Sequence, residues 1–324
     1  MSKKYKILAL CGGGVRGVMT GTIIERLEHD HPGFLKGVDL LAGTSAGSNI
    51  ISLLLSDYSG VGLRQRLVDF MKHYQPEKKN RHPDKPMFDI KNFVDAQMTL
   101  HPGNPSLSSF DRSVLMTAFQ LGNRATGRPW DQIIFNNLPG SDTAGVGIVD
   151  ATVSSSVMGG MYGTYQFEFE GETYYTVDGA FAHHDPSLIA IAYAMFYQKV
   201  PIEDIVIVDI GTGYMPQSLG EEQVTKWGCR QWVHGPEDEQ NLVSPLLANQ
   251  PFSIPVLDII LNGTSTTLLE QQAGMMLGGN RYVNINPQIK NISETDTAAI
   301  PYLIEQGAKA NLAQANELIR EYWF

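Results

Sequence analysis

The chain has 324 residues, of which 43% are hydrophobic, and a formal net charge of -10. This size allows a large buried core. The acidic balance argues against an extensive nucleic-acid surface, because phosphate binding needs clustered Lys and Arg, so we expect no nucleic-acid partner. The two cysteines, Cys11 and Cys229, offer no framework of disulfides, and a reducing compartment is the simplest interpretation. Cys11 ends an apolar run and is expected to be a small buried residue.

The N-terminal sequence MSKKYKILALCGGG superficially resembles a signal peptide, with lysines before an apolar run. That run is shorter than the roughly 7–15 residues of a signal-peptide core. No stretch reaches the ~18 apolar residues of a membrane span. We therefore expect a cytoplasmic protein that meets a membrane only peripherally.

Short β-rich apolar runs alternate with amphipathic stretches, which is typical of a layered α/β fold. The strands predicted in chain order are Lys6–Cys11, Val38–Ala42, Ser113–Phe119, Gly145–Val149, Tyr165–Glu170, Thr173–Val177 and Asp204–Gly213. The predicted helices are Arg16–Glu28, Ser45–Leu55, Ser187–Tyr197, the helical region Ser253–Leu277 and two helices within Thr295–Trp323 that break near Gly307. The run DIVIVDIGTG is continuous and β-branched, as expected in the middle of a parallel sheet.

Two further regions carry predictions. Ser56–Asn104 is more polar, and its Pro-bounded basic part, Pro76–Pro86, is predicted to be a surface loop between helices and is the first candidate for membrane contact. Ser253–Leu277 is predicted to pack on the core, with an acyl-chain channel containing Met275 and Met276 as the alternative.

No convincing linker interrupts the sequence. We therefore predict one domain over residues 1–324, with a core at about 5–213 and a C-terminal helical part at about 245–324 packed on it.

The stretch KILALCGGGVRG contains a G-x-G-x-x-G pattern at Gly12, Gly14 and Gly17, directly after the first predicted strand. Such a turn can bind the pyrophosphate of a dinucleotide, but that function calls for an acidic residue at the end of the second strand, about 20 positions on. Here the second strand runs straight into Gly43, and Asp39 lies at its beginning. The dinucleotide interpretation is therefore disfavoured.

The sequence Gly43-Thr44-Ser45-Ala46-Gly47 is a G-x-S-x-G between a buried strand and an apolar helix. In this context the serine lies on a sharp turn that projects its hydroxyl above the sheet. The flanking glycines relieve crowding, and the positive end of the following helix suits a developing oxyanion. The setting predicts that Ser45 is a nucleophile, with a tight structural turn as the alternative.

A serine nucleophile needs a base. His183 and His184 are candidates because they follow a strand end, although both can equally be hydrogen-bonded loop residues. A metal site at His183-His184-Asp185 is disfavoured, because neighbouring loop residues rarely point at one ion. Asp178 directly follows a strand and competes as the base, provided that direct contact and desolvation raise the basicity of its carboxylate.

The motifs CGGGVRG, AGTSAGS and VDGA, in this order, resemble those of the patatin-like phospholipase family. The segment ATVSSSVMGGMY (Ala151–Tyr162) is similar to the family's stretch of small residues before the catalytic aspartate, and HHDPSLIAIAYA and VIVDIGTG resemble the segments that follow it. The likeness runs from about Tyr5 to Gly213. One departure from the family's pattern is Val-Met-Gly-Gly within Ala151–Tyr162, where the family commonly has Ala-Ala-Pro-type sequences. This difference affects the expected shape of the pocket.

The resemblance implies a three-layer α/β/α fold with a mostly parallel central sheet. It also implies that Ser45 is the nucleophile and Asp178 its direct base, with no catalytic histidine. Backbone N–H groups of the glycine loop would form the oxyanion hole, and Arg16 would hold the loop or meet a phosphate head group. The loop residues are Gly12, Gly13 and Gly14, and the further supporting positions are Gly17, Gly43, Gly47, Gly179 and Ala180.

The function implied is a lipid acyl hydrolase that acts on phospholipids or lysophospholipids without a metal or cofactor and meets the membrane surface transiently. Two alternatives stay open at this point. The first is an acyltransferase that uses the same serine, and the second is a catalytically silent module that binds a lipid or a nucleotide.

Overall fold

The computed structural model describes residues 3–75, 85–216, 221–234 and 255–324. An eight-stranded sheet has the order β5-β6-β3-β2-β1-β7-β8, with β4 pairing to β3 beside this path. The strands are β1 Tyr5–Leu10, β2 Leu40–Thr44, β3 Ser113–Gln120, β4 Asp131–Asn136, β5 Tyr165–Phe169, β6 Glu172–Asp178, β7 Ile205–Ile210 and β8 Tyr282–Ile285. The pairs formed by β3, β2, β1, β7 and β8 are parallel, whereas β4, β5 and β6 pair antiparallel.

The described part of the chain also forms α-helices, which are interspersed with the strands. They are α1 Gly17–Asp30, α2 Ala46–Ser56, α3 Leu63–Tyr74, α4 Ile90–Leu100, α5 Ile148–Ser156, α6 Gly159–Tyr162, α7 Ala180–His183, α8 Ser187–Tyr197, α9 Glu221–Lys226, α10 Cys229–His234, α11 Pro255–Asp258, α12 Leu268–Leu277, α13 Ile300–Lys309 and α14 Ala313–Tyr322. A π-helical segment, Ile259–Thr267, joins α11 to α12. None of these helices is both long and apolar enough to cross a bilayer.

Alternate residues of the central strands pack into two separate hydrophobic clusters. Leu8 and Leu41 belong to the cluster that also contains residues of α1, α2 and α5. Ile7 and Leu40 belong to the other, which includes residues of α8 and α12. Because successive side chains of a strand point to opposite faces, helices cover both faces of the sheet. The predicted three-layer, mostly parallel α/β/α architecture is confirmed.

Strand register brings three chain segments to one edge of the sheet. Leu10, the last residue of β1, pairs with Gly43 in β2, so the glycine loop and the Ser45 turn leave the sheet side by side. Thr44 pairs with Thr117 of β3, and Asp178 of β6 lies opposite the neighbouring Ala118. The antiparallel direction of β6 therefore places Asp178 level with the end of β2.

Several predicted elements are wrong or incomplete. Helices α3 and α4 flank Pro76–Pro86 within the polar stretch Ser56–Asn104, and neither was assigned from the sequence. Gly145–Val149 is not a strand, because its end forms the first turn of α5. The C-terminal part is not only helical, since it supplies β8 at the edge of the sheet.

Two predicted lipid contacts have different outcomes. Most of Pro76–Pro86 lies outside the described residues, so its membrane contact stays a prediction. The described part of Ser253–Leu277 buries Ala273 and Leu277 against the sheet. Met275 and Met276 are exposed, which places them outside any enclosed acyl channel in this structure.

Candidate active site

Ser45 lies between β2 and α2 in a backbone conformation that L-residues rarely adopt, with φ 54° and ψ -116°. The turn is as crowded as its glycines suggested. A Cβ atom on Gly47 would lie 2.0 Å from the Leu10 carbonyl oxygen, and one on Gly43 would lie 2.7 Å from the backbone of Gly47. Such strain at a single polar residue is typical of functional sites.

The Ser45 hydroxyl donates a hydrogen bond to Asp178, with 2.7 Å between Oγ and Oδ2. The other carboxylate oxygen, Oδ1, accepts the N–H of Ala180 at 2.8 Å. Asp178 is buried, and this burial raises the pKa of its carboxyl to about 7, although the bonds from Ala180 and Ser45 act in the opposite direction. The carboxyl is thus a stronger base than an ordinary aspartate.

Helix α5 and the residue after it hold both members of this pair. Ser155 Oγ accepts the backbone N–H of Ser45 at 3.0 Å and lies 2.7 Å from Ser48 Oγ. The Ser155 carbonyl oxygen accepts the N–H of Gly179 at 3.3 Å, and the Val157 carbonyl accepts the N–H of Asp178 at 3.0 Å. A single segment therefore fixes the distance between the serine turn and the aspartate.

The glycine loop lies against Ser45, since a Cβ on Gly12 would be 3.2 Å from Ser45 Cβ. The Gly12 N–H already donates to the His184 carbonyl at 3.1 Å. Gly13 and Gly14 have positive φ values of 144° and 57°. Their two N–H groups have no acceptor in the part of the chain that the structure describes, so of the three predicted donors these two are available to an incoming anion.

Arg16 is buried behind the loop and forms an ion pair with Glu294 at 3.0 Å. Its Nε donates to the Gly13 carbonyl at 3.2 Å, and Val15 N–H donates to the Glu294 carbonyl at 2.8 Å. These contacts fit the role of holding the loop. They leave the guanidinium little access to a head group.

The remaining predicted supporting residues lie where elements pack closely. A Cβ on Gly17 would be 3.1 Å from Ala46 Cβ, so the first turns of α1 and α2 touch. A Cβ on Gly179 would be 2.2 Å from Thr117 Oγ1, which ties the turn after β6 to β3.

The two candidate histidines bind other groups. His183 Nε2 lies 2.6 Å from Gln132 Oε1, and His184 Nδ1 lies 2.6 Å from Thr266 Oγ1. Burial lowers the pKa of both imidazoles, to about 3 for His184, where the nearby Arg16 also contributes. Neither ring hydrogen-bonds to Ser45 or Asp178 within the described residues.

Ser155 and Glu294 contact the site but were not named as site residues from the sequence. The Ser155 signal was present in the small-residue segment Ala151–Tyr162. Glu294 stands far along the chain with no local motif, and only tertiary packing brings it to Arg16.

The site combines a strained serine, a buried carboxylate that accepts its hydrogen bond, and a neighbouring glycine loop on an α/β/α sheet. This combination defines a class of proteins that carry a serine–carboxylate pair. Residues 8–206 match the family described as patatin-like phospholipase. The chain belongs to this family, and membership supports a lipid acyl hydrolase activity in general.

Among its relatives, CotR of Bacillus subtilis, whose name assigns it only provisionally as a sporulation hydrolase, is 28% identical, with 99% of this chain and 98% of CotR covered. Protein teg of Priestia megaterium is also 28% identical, with 99% of each chain covered. VipD from Legionella pneumophila has a solved structure with 11% identity and a TM-score of 0.46, covering 99% of this chain and 67% of VipD.

Proposed function

We propose that this protein hydrolyses the carboxylic esters of phospholipids or lysophospholipids, as a phospholipase A or lysophospholipase, through a Ser45-Asp178 dyad. The observation that carries the proposal is the 2.7 Å contact between Ser45 Oγ and Asp178 Oδ2. The N–H groups of Gly13 and Gly14 beside this contact, which have no acceptor among the described residues, add the second requirement of acyl transfer, which is a site for the oxyanion.

In the first half of the reaction Asp178 accepts the hydroxyl proton as Ser45 Oγ attacks the ester carbonyl. The tetrahedral oxyanion accepts hydrogen bonds from Gly13 and Gly14. Asp178 then returns the proton to the leaving alkoxide, and an acyl-Ser45 ester remains. Each oxyanion donor of this kind contributes roughly 10²–10³ in rate.

In the second half Asp178 accepts a proton from water, and the resulting hydroxide attacks the acyl-enzyme. Collapse of the second tetrahedral intermediate releases the fatty acid, and the proton returns from Asp178 to Ser45 Oγ. One ester bond and one water are consumed, and the dyad is restored. These steps need only protein groups.

The dyad is tested by mass-spectrometric product analysis after incubation with mixed phospholipids and lysophospholipids. Ser45→Ala and Asp178→Asn should abolish release of fatty acid, whereas His183→Ala should retain most of it. The matched pair separates an aspartate base from a histidine base, because Asp178 ends β6 and His183 lies in the short helix directly after it. Retained turnover in Asp178→Asn with loss in His183→Ala would overturn the dyad.

A fluorophosphonate probe tests the nucleophile independently of the substrate. It should label the native protein at Ser45 and leave Ser45→Ala unlabelled. A native protein that is neither labelled nor able to release fatty acid would indicate a silent binding module. Labelling together with acyl transfer to an added alcohol, and no free fatty acid, would indicate an acyltransferase.

A further inference from the structure

Three buried side chains with metal-binding atoms meet next to the start of the glycine loop. Cys11 follows β1, Asp209 lies in β7, and Asp185 precedes α8. The Cys11 sulfur and one oxygen from each carboxylate all lie within 4.8 Å of one another. All three side chains are at most 1% exposed.

Other groups already fix both carboxylates. Asp209 Oδ2 accepts hydrogen bonds from Tyr282 Oη and Asn284 Nδ2, each at 2.7 Å. Asp185 Oδ1 accepts the N–H of Ser187 at 2.8 Å and also the hydroxyl of that residue. Hydrogen bonds of this kind orient carboxylate ligands around a metal ion.

The Oδ2 atom of Asp185 is the independent sign of a missing ligand. It is buried and has no hydrogen-bond partner among the described residues. Glu270, which is nearby, likewise has a buried Oε1 atom without such a partner. No Lys, Arg or His forms an ion pair with Asp185, Asp209 or Glu270 in the described ranges. Uncompensated negative charge at this depth is costly.

A cavity beside Cys11 leaves room for a water molecule. It has about 30 Å³, adjoins the cluster through Cys11 alone of the three residues, and is lined also by Arg16, His184 and Glu270; a water needs roughly 10–15 Å³.

We propose that Cys11 Sγ, Asp185 Oδ2 and Asp209 Oδ1 bind one divalent cation, with zinc as the best match. A thiolate with carboxylate oxygens favours zinc over magnesium or calcium, which prefer oxygen ligands alone. Binding would release the Cys11 thiol proton to solvent, so the bound form carries a thiolate. A water in the adjoining cavity would complete a four-coordinate ion.

The position of this site gives it a structural role. Cys11 directly precedes Gly12, and Asp185 directly follows His184, whose carbonyl accepts the Gly12 N–H at 3.1 Å. The ion would therefore join the start of the glycine loop to the segment after Asp178. It would lie behind the loop and take no part in the proposed hydrolysis.

The full-length protein, stripped with a chelator and reloaded with zinc, tests the proposal by elemental analysis after removal of excess metal. Wild type should retain about one zinc per chain, and Cys11→Ser and Asp185→Asn should bind at least about 10-fold more weakly. Cys229→Ser is the matched control, because that cysteine is exposed and lies outside the cluster, and it should bind as wild type does.

Reloading with Co²⁺ adds a readout that does not depend on activity or stability. A thiolate-to-cobalt absorption band should form in wild type and Cys229→Ser and be absent in Cys11→Ser, with circular dichroism checking that each variant is folded. If wild type retains no metal, the proposal fails. If Cys11→Ser retains as much metal as wild type, the ion is adventitious only, and the proposal also fails.

Discussion

Ser45 Oγ lies 2.7 Å from Asp178 Oδ2, and burial raises the pKa of that aspartate to about 7. A general base acts only when it is deprotonated. We therefore expect kcat/KM for ester hydrolysis to rise about tenfold per pH unit at low pH and to level off above a midpoint near 7. A pH profile with a soluble short-chain ester checks this. A midpoint near 4, that of an ordinary aspartate, would contradict the assigned environment.

The burial of Asp178 also leads us to expect that the stability of the protein depends on pH. The folded state holds the Asp178 proton up to about pH 7, whereas the unfolded chain loses it near 3.8. Between these values the folded state binds more protons, so the free energy of unfolding falls as pH rises, by up to about 1.4 kcal/mol per pH unit. Asp178→Asn removes this ionisation. We expect the variant to be inactive yet to gain stability relative to wild type from pH 4 to pH 7, as measured by urea unfolding. A constant difference across this range would contradict the expectation.

The glycine loop offers a prediction with a close control. Gly14 has φ 57°, and a Cβ there would lie 2.3 Å from the Glu294 carbonyl oxygen. Gly14→Ala should move the loop and lower kcat by about 10²–10³, the effect of losing one oxyanion donor. Gly62 has a similar φ of 66° but open space around it. Gly62→Ala should therefore carry a comparable backbone strain and keep its activity. Equal activity in the two variants would remove the loop from catalysis.

The sequence predicted the centre of the fold better than its periphery. The apolar runs that became β1, β2 and β7 are buried in the sheet apart from Tyr5 at the start of β1, and a continuous apolar run indicates such a strand directly. Gly145–Val149 shows the limit of this signal. A short apolar run cannot distinguish a buried strand from the first turn of a buried helix, and tertiary packing placed its end in α5.

Two of the missed elements, β4 and β8, depend on partners distant in the sequence. Strand β8 has only four residues and forms by pairing with β7 at the sheet edge. Helix α3 lies in a polar stretch, but Leu63, Leu67 and Met71 recur every fourth residue and are buried. That helical period is present in the sequence, although the surrounding composition is polar. Strand β4 begins with exposed polar residues and is set by β3.

In the candidate site, too, local motifs were predictable from the sequence and contacts between distant residues were not. Motifs at strand ends indicated Ser45 and the glycine loop, and the resemblance selected Asp178 over the histidines. No sequence pattern could show that Gly12 donates its N–H to His184 or that Glu294 balances Arg16. These contacts join residues that are far apart along the chain, and only the three-dimensional packing defines them.

Ser155 supplies the last prediction, because its hydroxyl accepts the N–H of the strained Ser45 at 3.0 Å. Ser155→Ala leaves that buried N–H without its acceptor, which costs about 1–3 kcal/mol. We expect this strain to displace the nucleophile and to lower kcat about tenfold, since about 1.4 kcal/mol of lost positioning corresponds to that factor. KM should change little, because Ser155 is buried and offers no surface to substrate.

Ser154→Ala is the matched control. Ser154 is buried in the same helix, but its Oγ accepts from Thr176 Oγ1 at 2.8 Å and, among the described residues, forms no hydrogen bond to the serine turn. Both variants should lose a similar amount of stability in urea, yet only Ser155→Ala should lose turnover and slow its reaction with a fluorophosphonate. If both variants keep the wild-type labelling rate, Ser155 supports the fold alone, and the position of Ser45 depends on its contact with Asp178 instead.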